Sequence, residues 1–386
     1  MKLSETVKLY LTREQKSLVV HTMEEYICTV NSLISDSVSG NDISKYTSSD
    51  VAAVLPSAVK NQCIRDAVSV IRKYSRECRK AETLKKKPAV QEKTCTVREP
   101  ALPVLKRPCC YINNQNYRIR EGRIEFPVMI NGRSRRLSVC TKMTDRQKEI
   151  FEHARLGTMR IVYKADRITA QIVYEAAEPG LSEDGNVMGV DLGIKCPAVS
   201  YISDGTVRFY GNGRKNKYMR RHYARKRKEL QKARQMKSVR RINNKEQRIM
   251  KDVDHKISRK IVDTAAEHEV KVIKMERLSN VRSATRTSRK NNHSLHSWSF
   301  YRLTKFIEYK AKLAGIKVEY VDPAYTSQKC PVCGRVHHAR DRKYECECGF
   351  RIHRDVLGAV NICNSTEYIG GSNARYTAQG AISSAL

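Results

Sequence analysis

Val187-Met188-Gly189-Val190-Asp191-Leu192-Gly193 is a run of apolar and small residues that ends on an acid. Such a run reads as a buried strand, and an acid at its end projects a carboxylate from the edge of a sheet. Ala198–Ile202 and Val207–Tyr210 follow at once, split by turn-forming residues, so three consecutive strands are expected. Further along, Val270–Met275 reads as a strand and again ends on an acid, Glu276. Phe300–Ala314 has helical spacing and is stopped by Gly315. Lys317–Val321 is another strand, and a last apolar helix opens at His353-Arg354-Asp355 and runs through Ala359-Val360-Asn361-Ile362. Three strands, a long helix, a strand, a helix, a strand and a final helix is an order that fits an RNase H-like α/β fold.

The long helical stretch, 214–260, holds 20 Lys/Arg against four acids, Glu229, Glu246, Asp252 and Asp254. Ile249, Val253, Ile257, Ile261 and Ala265 recur every four residues, so its second half carries an apolar stripe. A break near Gln235–Ser238 makes it a helical hairpin. Arg220, Arg221, Arg225, Lys226, Arg227 and Lys228 on this helix are candidate phosphate contacts, which position a chain on nucleic acid without reading its sequence. A charge run is more often a solvated face, but this one is too one-sided for a surface laced with salt bridges.

The whole chain of 386 residues carries a formal charge of +34, with 40% hydrophobic residues. That length suggests two to four domains. That charge points to a polyanion, nucleic acid above all, bound in a salt-dependent way. No apolar run is long enough to span a bilayer, and the N-terminus lacks a signal-peptide core, so an intracellular protein with no membrane role is expected.

Thirteen cysteines in such a chain do not imply disulfides. Nine are scattered and read as buried small hydrophobes or inert thiols. The other four form two close pairs, Cys330-Pro331-Val332-Cys333-Gly334 and Cys346-Glu347-Cys348-Gly349. Four thiolates suit one tetrahedral Zn²⁺ of structural type, since no position remains open for catalysis. His353 is a second-choice ligand. Arg335, His337, His338, Arg340, Arg342 and Lys343 make the insert basic.

The N-terminal half has two textures. Residues 2–11 alternate as a strand; Thr12 to about Lys86 turns helical, with Leu18, Val19, Met23, Tyr26, Ile27 and Val30 and later Val59, Cys63, Ala67, Val70, Ile71 and Tyr74 at spacings of three and four. A basic stretch at Lys80–Lys93 follows. Residues 95–178 then read as short strands split by turns at Asn113-Asn114, Glu121-Gly122, Asn131-Gly132 and Ala165-Asp166. The expectation is a small antiparallel barrel that includes strand 2–11, with the helical block inserted into it. Gly180–Asn186 reads as a linker, Ser279–Ser294 as a mobile loop, and the residues after Cys363 as a frayed tail.

Asp191, Glu276 and Asp355 are each unremarkable alone, as a turn cap, a surface pair or an N-cap. Placed on matching elements of a very basic chain, they read as the carboxylates of a two-metal nuclease, holding a pair of Mg²⁺.

At these residues the chain resembles the TnpB (OrfB) family, RNA-guided nucleases of insertion sequences related to compact type V CRISPR nucleases. The resemblance covers about 187–362: Gly189-Val190-Asp191-Leu192-Gly193, Lys274-Met275-Glu276-Arg277-Leu278, Trp298, Tyr309-Lys310-Ala311, Val321-Asp322-Pro323, Tyr325-Thr326-Ser327-Gln328-Lys329-Cys330 and His353-Arg354-Asp355 through Asn361-Ile362. The N-terminal half fits only by order. The Cys346-Glu347-Cys348 spacing departs from the commoner two-residue gap.

The resemblance implies a multidomain α+β chain. Residues 1–11 and 88–180 would form a wedge-like antiparallel β-barrel with 12–87 as a helical, recognition-like insertion. Residues 185–325 and 350–363 would form the RuvC-type nuclease domain, 326–349 an inserted zinc ribbon and 364–386 a flexible tail. It implies Asp191, Glu276 and Asp355 as Mg²⁺ ligands, with Mn²⁺ as a substitute, and Arg354 at the scissile phosphate. It also implies a guide RNA transcribed from the element's own end, a short DNA motif read by the N-terminal half, and double- and single-stranded target DNA specified by base pairing. The protein would work as a monomer or a dimer on RNA, in the prokaryotic cytoplasm. The competing readings are a guided DNA-binding regulator without cleavage and a transposase-type strand transferase.

Overall fold

The structure, a computed structural model, describes residues 1–85, 99–164, 166–242, 244–278, 298–339 and 341–366. The whole loop expected at Ser279–Ser294, the end of the basic stretch at Lys80–Lys93, Ala165, Arg340 and the tail from 367 lie outside the described residues. The chain divides into two units, Met1–Ala176 and Ala177–Leu386.

In the first unit, β1 (Lys2–Tyr10) leads into two long helices, α1 (Arg13–Val38) and α2 (Ser57–Lys85), with a 3₁₀ turn at Ile43–Lys45 between them. Thr12 starts α1 with a capping box to Gln15, which satisfies two orphan amide donors. Its buried face is Val19, Met23, Tyr26, Ile27, Val30, Leu33 and Ile34, and Val59, Cys63 and Ala67 of α2 join the same core. Then come β2 (Cys109–Ile112), β3 (Arg118–Arg120), β4 (Arg123–Ile130), β5 (Arg133–Thr141), α3 (Asp145–His153), β6 (Arg155–Lys164) and β7 (Arg167–Glu175). The sheet order is β2-β6-β7-β1-β5-β4-β3. β1 therefore sits in the middle, antiparallel to β7 from Lys2↔Glu175 to Lys8↔Thr169, and to β5 at Leu9↔Thr141 and Tyr10↔Cys140.

The first strand thus belongs to the sheet and the helices are an insertion after it. The sheet is a curled one with β2 and β3 as its edges, where a barrel was expected. Asn131 and Gly132 both have positive φ, 50° and 74°, the mirror-image turn that matches strand twist. The helix α3 falls where only strands were expected; its signal was Thr144-Asp145-Arg146-Gln147, a second capping box. Of the scattered cysteines, Cys63, Cys109, Cys110 and Cys363 are buried, but Cys28 and Cys140 are exposed.

The second unit is built on β8 (Asn186–Asp191), β9 (Ala198–Ile202) and β10 (Val207–Tyr210), then α4 (Gly213–Lys232), α5 (Met236–Ile242), α6 (Lys245–Glu267), β11 (Val270–Glu276), α7 (Phe300–Leu313) and β12 (Lys317–Val321). Strands run β10-β9-β8-β11-β12. The first three form an antiparallel meander, while β11 is parallel to both β8 and β12. Ile257, Ile261 and Ala265 of α6 and Leu303, Ile307 and Ala311 of α7 pack in the core with Met188, Val190, Ile273 and Met275. The expected break in the basic helix comes at Ala233–Gln235, where Arg234 takes a φ of 53°, and a short helix α5 intervenes before α6. The chain closes with β13 (Lys343–Glu345), β14 (Arg351–His353) and α8 (Arg354–Asn364). No helix among the described residues is long and apolar enough to cross a membrane.

α8 lies directly on β8. A methyl group added at Gly189 would run into the Ala359 carbonyl and the Cys363 backbone nitrogen. Gly189→Ala is expected to lower the unfolding free energy by about 1–3 kcal/mol through overpacking. Denaturant unfolding would measure it; unchanged stability would mean that strand and helix do not meet this closely.

Candidate active site and thiol insert

Asp191 is the last residue of β8 and Glu276 the last of β11. Val190 pairs with Met275, so the two acids leave the same end of adjacent parallel strands. Asp355 is the second residue of α8, whose N-cap is His353, the Nδ1 of which accepts from the Asp355 amide at 3.2 Å. Gly358, one turn on, faces Asp191: a methyl there would lie 3.2 Å from the Asp191 Cγ. A glycine on the helix that bears Asp355 thus lets that helix pack directly against the strand acid.

Asp191 feels both of the other acids. Burial, then the charges of Glu276 and Asp355, hold the Asp191 carboxyl well above the usual carboxylate range, against the pull of Arg354 and Arg342. Burial also pushes Glu276 up to about 6; the hydrogen bond from Thr326 opposes this and Asp322 adds to it. Arg342 donates to both carboxylate oxygens of Asp355. One guanidinium nitrogen shared by both oxygens of Asp355, beside an Asp191 raised by its acidic neighbours, marks a place that attracts positive charge, and the oxygen-only donor set suits a hard divalent cation.

Several residues that position the acids were not assigned a role from sequence. Thr326 donates to Glu276, and Asn361 of α8 donates to the backbone carbonyls of Thr326 and Lys329 at 2.7 Å each. Lys274, two residues before Glu276, is buried and donates to the carbonyls of Cys363 at 3.0 Å and Ser365 at 2.8 Å. It therefore ties the strand carrying Glu276 to the C-terminal end of the helix carrying Asp355, where a cation also suits the helix dipole. A lysine inside an otherwise apolar strand was the available signal.

The four thiols of the insert lie within 4.8 Å of one another. Sγ–Sγ separations are 3.7 Å for Cys330 and Cys348 and 3.4 Å for Cys333 and Cys346. A tetrahedron with ~2.3 Å metal–sulfur bonds has edges of about 3.8 Å, so the one-residue gap in Cys346-Glu347-Cys348 is compatible with a shared metal. His353 is outside this group, being used as the cap of α8. Tyr344, fully buried, packs with Cys330, Cys346 and Leu357 of α8, which seats the insert on the acid-bearing helix.

The cations of α4 divide into two sets. Arg220 and Arg227 approach Glu246 at 3.8 and 2.8 Å, and Arg225 pairs with Glu229 at 3.6 Å. The last pair is exposed and worth roughly 0–1 kcal/mol. Arg221, Lys226 and Lys228 are exposed and have no ion pair among the described residues. The face is thus more salt-bridged than its sequence suggested, through Glu246. Arg354 is exposed at the start of α8, close enough to act on Asp191.

Residues 171–282 match the family described as "Probable transposase" (OrfB_IS605), and residues 300–362 match "Cas12f1-like, TNB domain". The TnpB-like protein MJ0751 of Methanocaldococcus jannaschii is 30% identical over 251 residues, 61% of this chain and 88% of that protein. The CRISPR-associated endodeoxyribonuclease Cas12f1 of Sulfoacidibacillus thermotolerans is 37% identical over 113 residues, 28% of this chain but only 25% of that protein. Among solved structures, a Cas12f1–sgRNA–target DNA complex superposes with a TM-score of 0.62 at 15% identity, covering 91% of this chain and 83% of that one. At that identity the likeness is one of fold.

Two outcomes follow from the geometry. Because burial raises Glu276, the stability it contributes to the metal-free fold is complete below its ordinary value of 4.5 and is lost as pH rises through about 6. Cation binding needs the carboxylates deprotonated, so calorimetric Mn²⁺ affinity should rise roughly tenfold from pH 5 to 7; a flat profile would contradict the clustering of the acids. Lys274→Met should cost about 1–3 kcal/mol by stranding the buried Cys363 carbonyl and the part-buried Ser365 carbonyl, and should weaken Mn²⁺ binding as well. Loss of stability with unchanged Mn²⁺ affinity would separate Lys274 from the site.

Proposed function

The chain belongs to the TnpB family, kin of the type V CRISPR effectors, and we propose that it is an RNA-guided DNA endonuclease that cuts target DNA by metal-dependent hydrolysis of a phosphodiester bond. The observation that carries this reading is the placing of Asp191 and Glu276 at the same end of two adjacent strands, with the helix that bears Asp355 packed against Asp191; burial raises both strand acids, and the charges of Glu276 and Asp355 raise Asp191 further. Three such carboxylates have no use in a structural ion-pair network, which would pair each with a cation of its own.

In this reading the second unit is a RuvC-type nuclease domain of RNase H-like fold with an inserted zinc ribbon. Asp191, Glu276 and Asp355 would hold two Mg²⁺ ions, replaceable by Mn²⁺, and Cys330, Cys333, Cys346 and Cys348 one structural Zn²⁺. The Mg²⁺ pair would supply a Lewis acid at the phosphodiester and an activated water. The chain's own residues do the rest. Thr326 orients Glu276 through its hydroxyl. Arg342 holds the Asp355 carboxylate, and Arg354, exposed at the start of the same helix, would contact the scissile phosphate. Arg221, Lys226 and Lys228 offer exposed charge to a phosphate backbone.

The first unit, with its curled sheet and helical insertion, would hold a guide RNA transcribed from the end of the element and read a short motif beside the target. Base pairing with the guide then supplies sequence specificity, the protein holding the heteroduplex by shape and charge. A chain of net charge +34 suits that division of labour, because phosphate contacts need cations and no base-specific pockets. A non-cleaving regulator has no need of three converging acids. A strand transferase would use the same acids but leave 3′-end-joined products.

Asp191→Ala should abolish cleavage of a DNA target matching the RNA that copurifies with the protein, while RNA binding by filter retention stays within about twofold, since phosphate contacts lie elsewhere. Cleavage by that variant would remove Asp191 from the reaction. Joined 3′ ends in place of simple cuts would turn the reading to strand transfer.

A further inference from the structure

Beside the acids, and not part of them, a cavity of about 220 Å³ opens between α4, α6, α7 and the loop after β8. Pockets for drug-sized molecules are typically ~300–1,000 Å³, so this one fits something smaller, on the scale of a single ring system. Its loop side includes Gly193 and Ile194, the second and third residues beyond Asp191. That wall is fixed: the Gly213 amide donates to the Lys195 carbonyl at 3.0 Å, and a methyl at Gly213 would strike the Ile194 and Lys195 carbonyls.

The lining has two chemistries. One side is apolar and aromatic, with Ile194, Met250, Leu303 and the indole of Trp298. Trp298 packs against the core, its ring centroid 5.2 Å from that of Phe300. The other side is the α4 face bearing Asn216, Lys217, Arg220 and Arg221, the i and i+4 positions of one helical stripe. Asp254 is the acid of the lining, and its Oδ2 already accepts from Arg302 Nε at 2.7 Å and Ser299 at 2.9 Å. Arg220 faces Glu246. Lys217 and Arg221 have no ion pair among the described residues.

An apolar ligand would not call for two unpaired cations, and a simple anion would not call for an indole. A nucleotide calls for both: a flat base with apolar faces and a polar edge, and a phosphate. We propose that this cavity receives one nucleotide of a single-stranded stretch of DNA, its base against Trp298 with its edge at Asn216, and its phosphate on Lys217 and Arg221. The site lies on the loop that begins just after Asp191, so it would hold a nucleotide of the strand presented to the acids. This rests on the reading of the chain as a nuclease, but its test does not depend on cleavage.

Trp298 is the one tryptophan of the protein, so its fluorescence reports on this cavity alone. The full-length Asp191→Ala protein in metal-free buffer is titrated with a deoxytrinucleotide and with its abasic counterpart of equal charge, exciting at the red edge of tryptophan absorption. Saturable quenching by the trinucleotide is expected, with affinity roughly five- to hundredfold above that of the abasic chain, the range of one base stack. Lys217→Glu, a change at a half-exposed residue that leaves the core intact, should weaken the trinucleotide at least about tenfold, more than the loss of one ordinary surface contact. Equal quenching by the abasic chain or by heparin would mean phosphate binding without a base and would overturn the proposal. So would trinucleotide binding that leaves the tryptophan signal unchanged, or a Lys217→Glu protein that binds as before. Quenching of Asp191→Ala alongside a wild-type protein that never cuts a target matching its RNA would leave the nucleotide site standing and remove the endonuclease reading; cutting by the wild-type protein without quenching would do the reverse.

Discussion

The constraint on which the second unit depends is the placing of Asp191 and Glu276 at the same end of adjacent parallel strands, with Gly358 of α8 packed against Asp191. Like charges brought near one another repel, and Asp191 feels both Glu276 and Asp355. A single hydrogen bond returns only about 1 kcal/mol, so no one contact holds these acids together. The architecture does. β8 and β11 bring Asp191 and Glu276 to the same end of a parallel ladder, and the ladder's hydrogen bonds leave the acids no freedom to part. Helix α8 reaches Asp191 because Gly189 and Gly358 remove the side chains that would keep it away. Lys274 then fastens the far end of α8 to β11. Each of these features makes sense as an answer to repulsion between like charges, and none is needed for a sheet covered by a helix.

The same economy governs the positive charge. The basic helices carry a large excess of cations, yet their few acids are not scattered. Glu246 gathers Arg220 and Arg227, and Asp254 gathers Arg302 and Ser299. These acids brace α4 and α7 against α6, where side chains must be close, and leave Lys217, Arg221, Lys226 and Lys228 uncompensated among the described residues. A stretch that looks uniformly basic in one dimension is, once folded, a braced inner side and an open outer one.

That difference explains what could be read in advance. Strand ends were legible because an apolar run that stops at Asp191 or Glu276 is a local signal, and so was the Asn131-Gly132 turn, whose two positive φ angles only such residues adopt easily. The insertion of α1 and α2 after β1 was legible because the hydrophobic period switches from two to about four at Thr12. The helix α3 was missed because nine residues among strands show little period, although its capping box was there to see. Closure of the sheet into a barrel was over-read, since alternation within strands says nothing about whether the two edges meet. Glu246, Lys274 and Arg342 were illegible for one reason: each acts on a partner 13 to 91 residues away in the chain, and no local pattern records the pairing.

The thiol insert shows how far such long-range pairing reaches. Its four sulfurs converge on one point, and Tyr344 packs between two of them and Leu357 of α8. The segment leading into it supplies Thr326 to Glu276, and its own strand edge supplies Arg342 to Asp355. Asn361 then returns from α8 to the carbonyls of Thr326 and Lys329 at the insert's entrance. Two of the three acids are therefore oriented by a segment of about two dozen residues too small to bury a core of its own, which is why such segments use metals as staples. Whatever holds the four sulfurs together holds Arg342 and Thr326 in place as well, so the order of the acid site is inherited from the order of the insert.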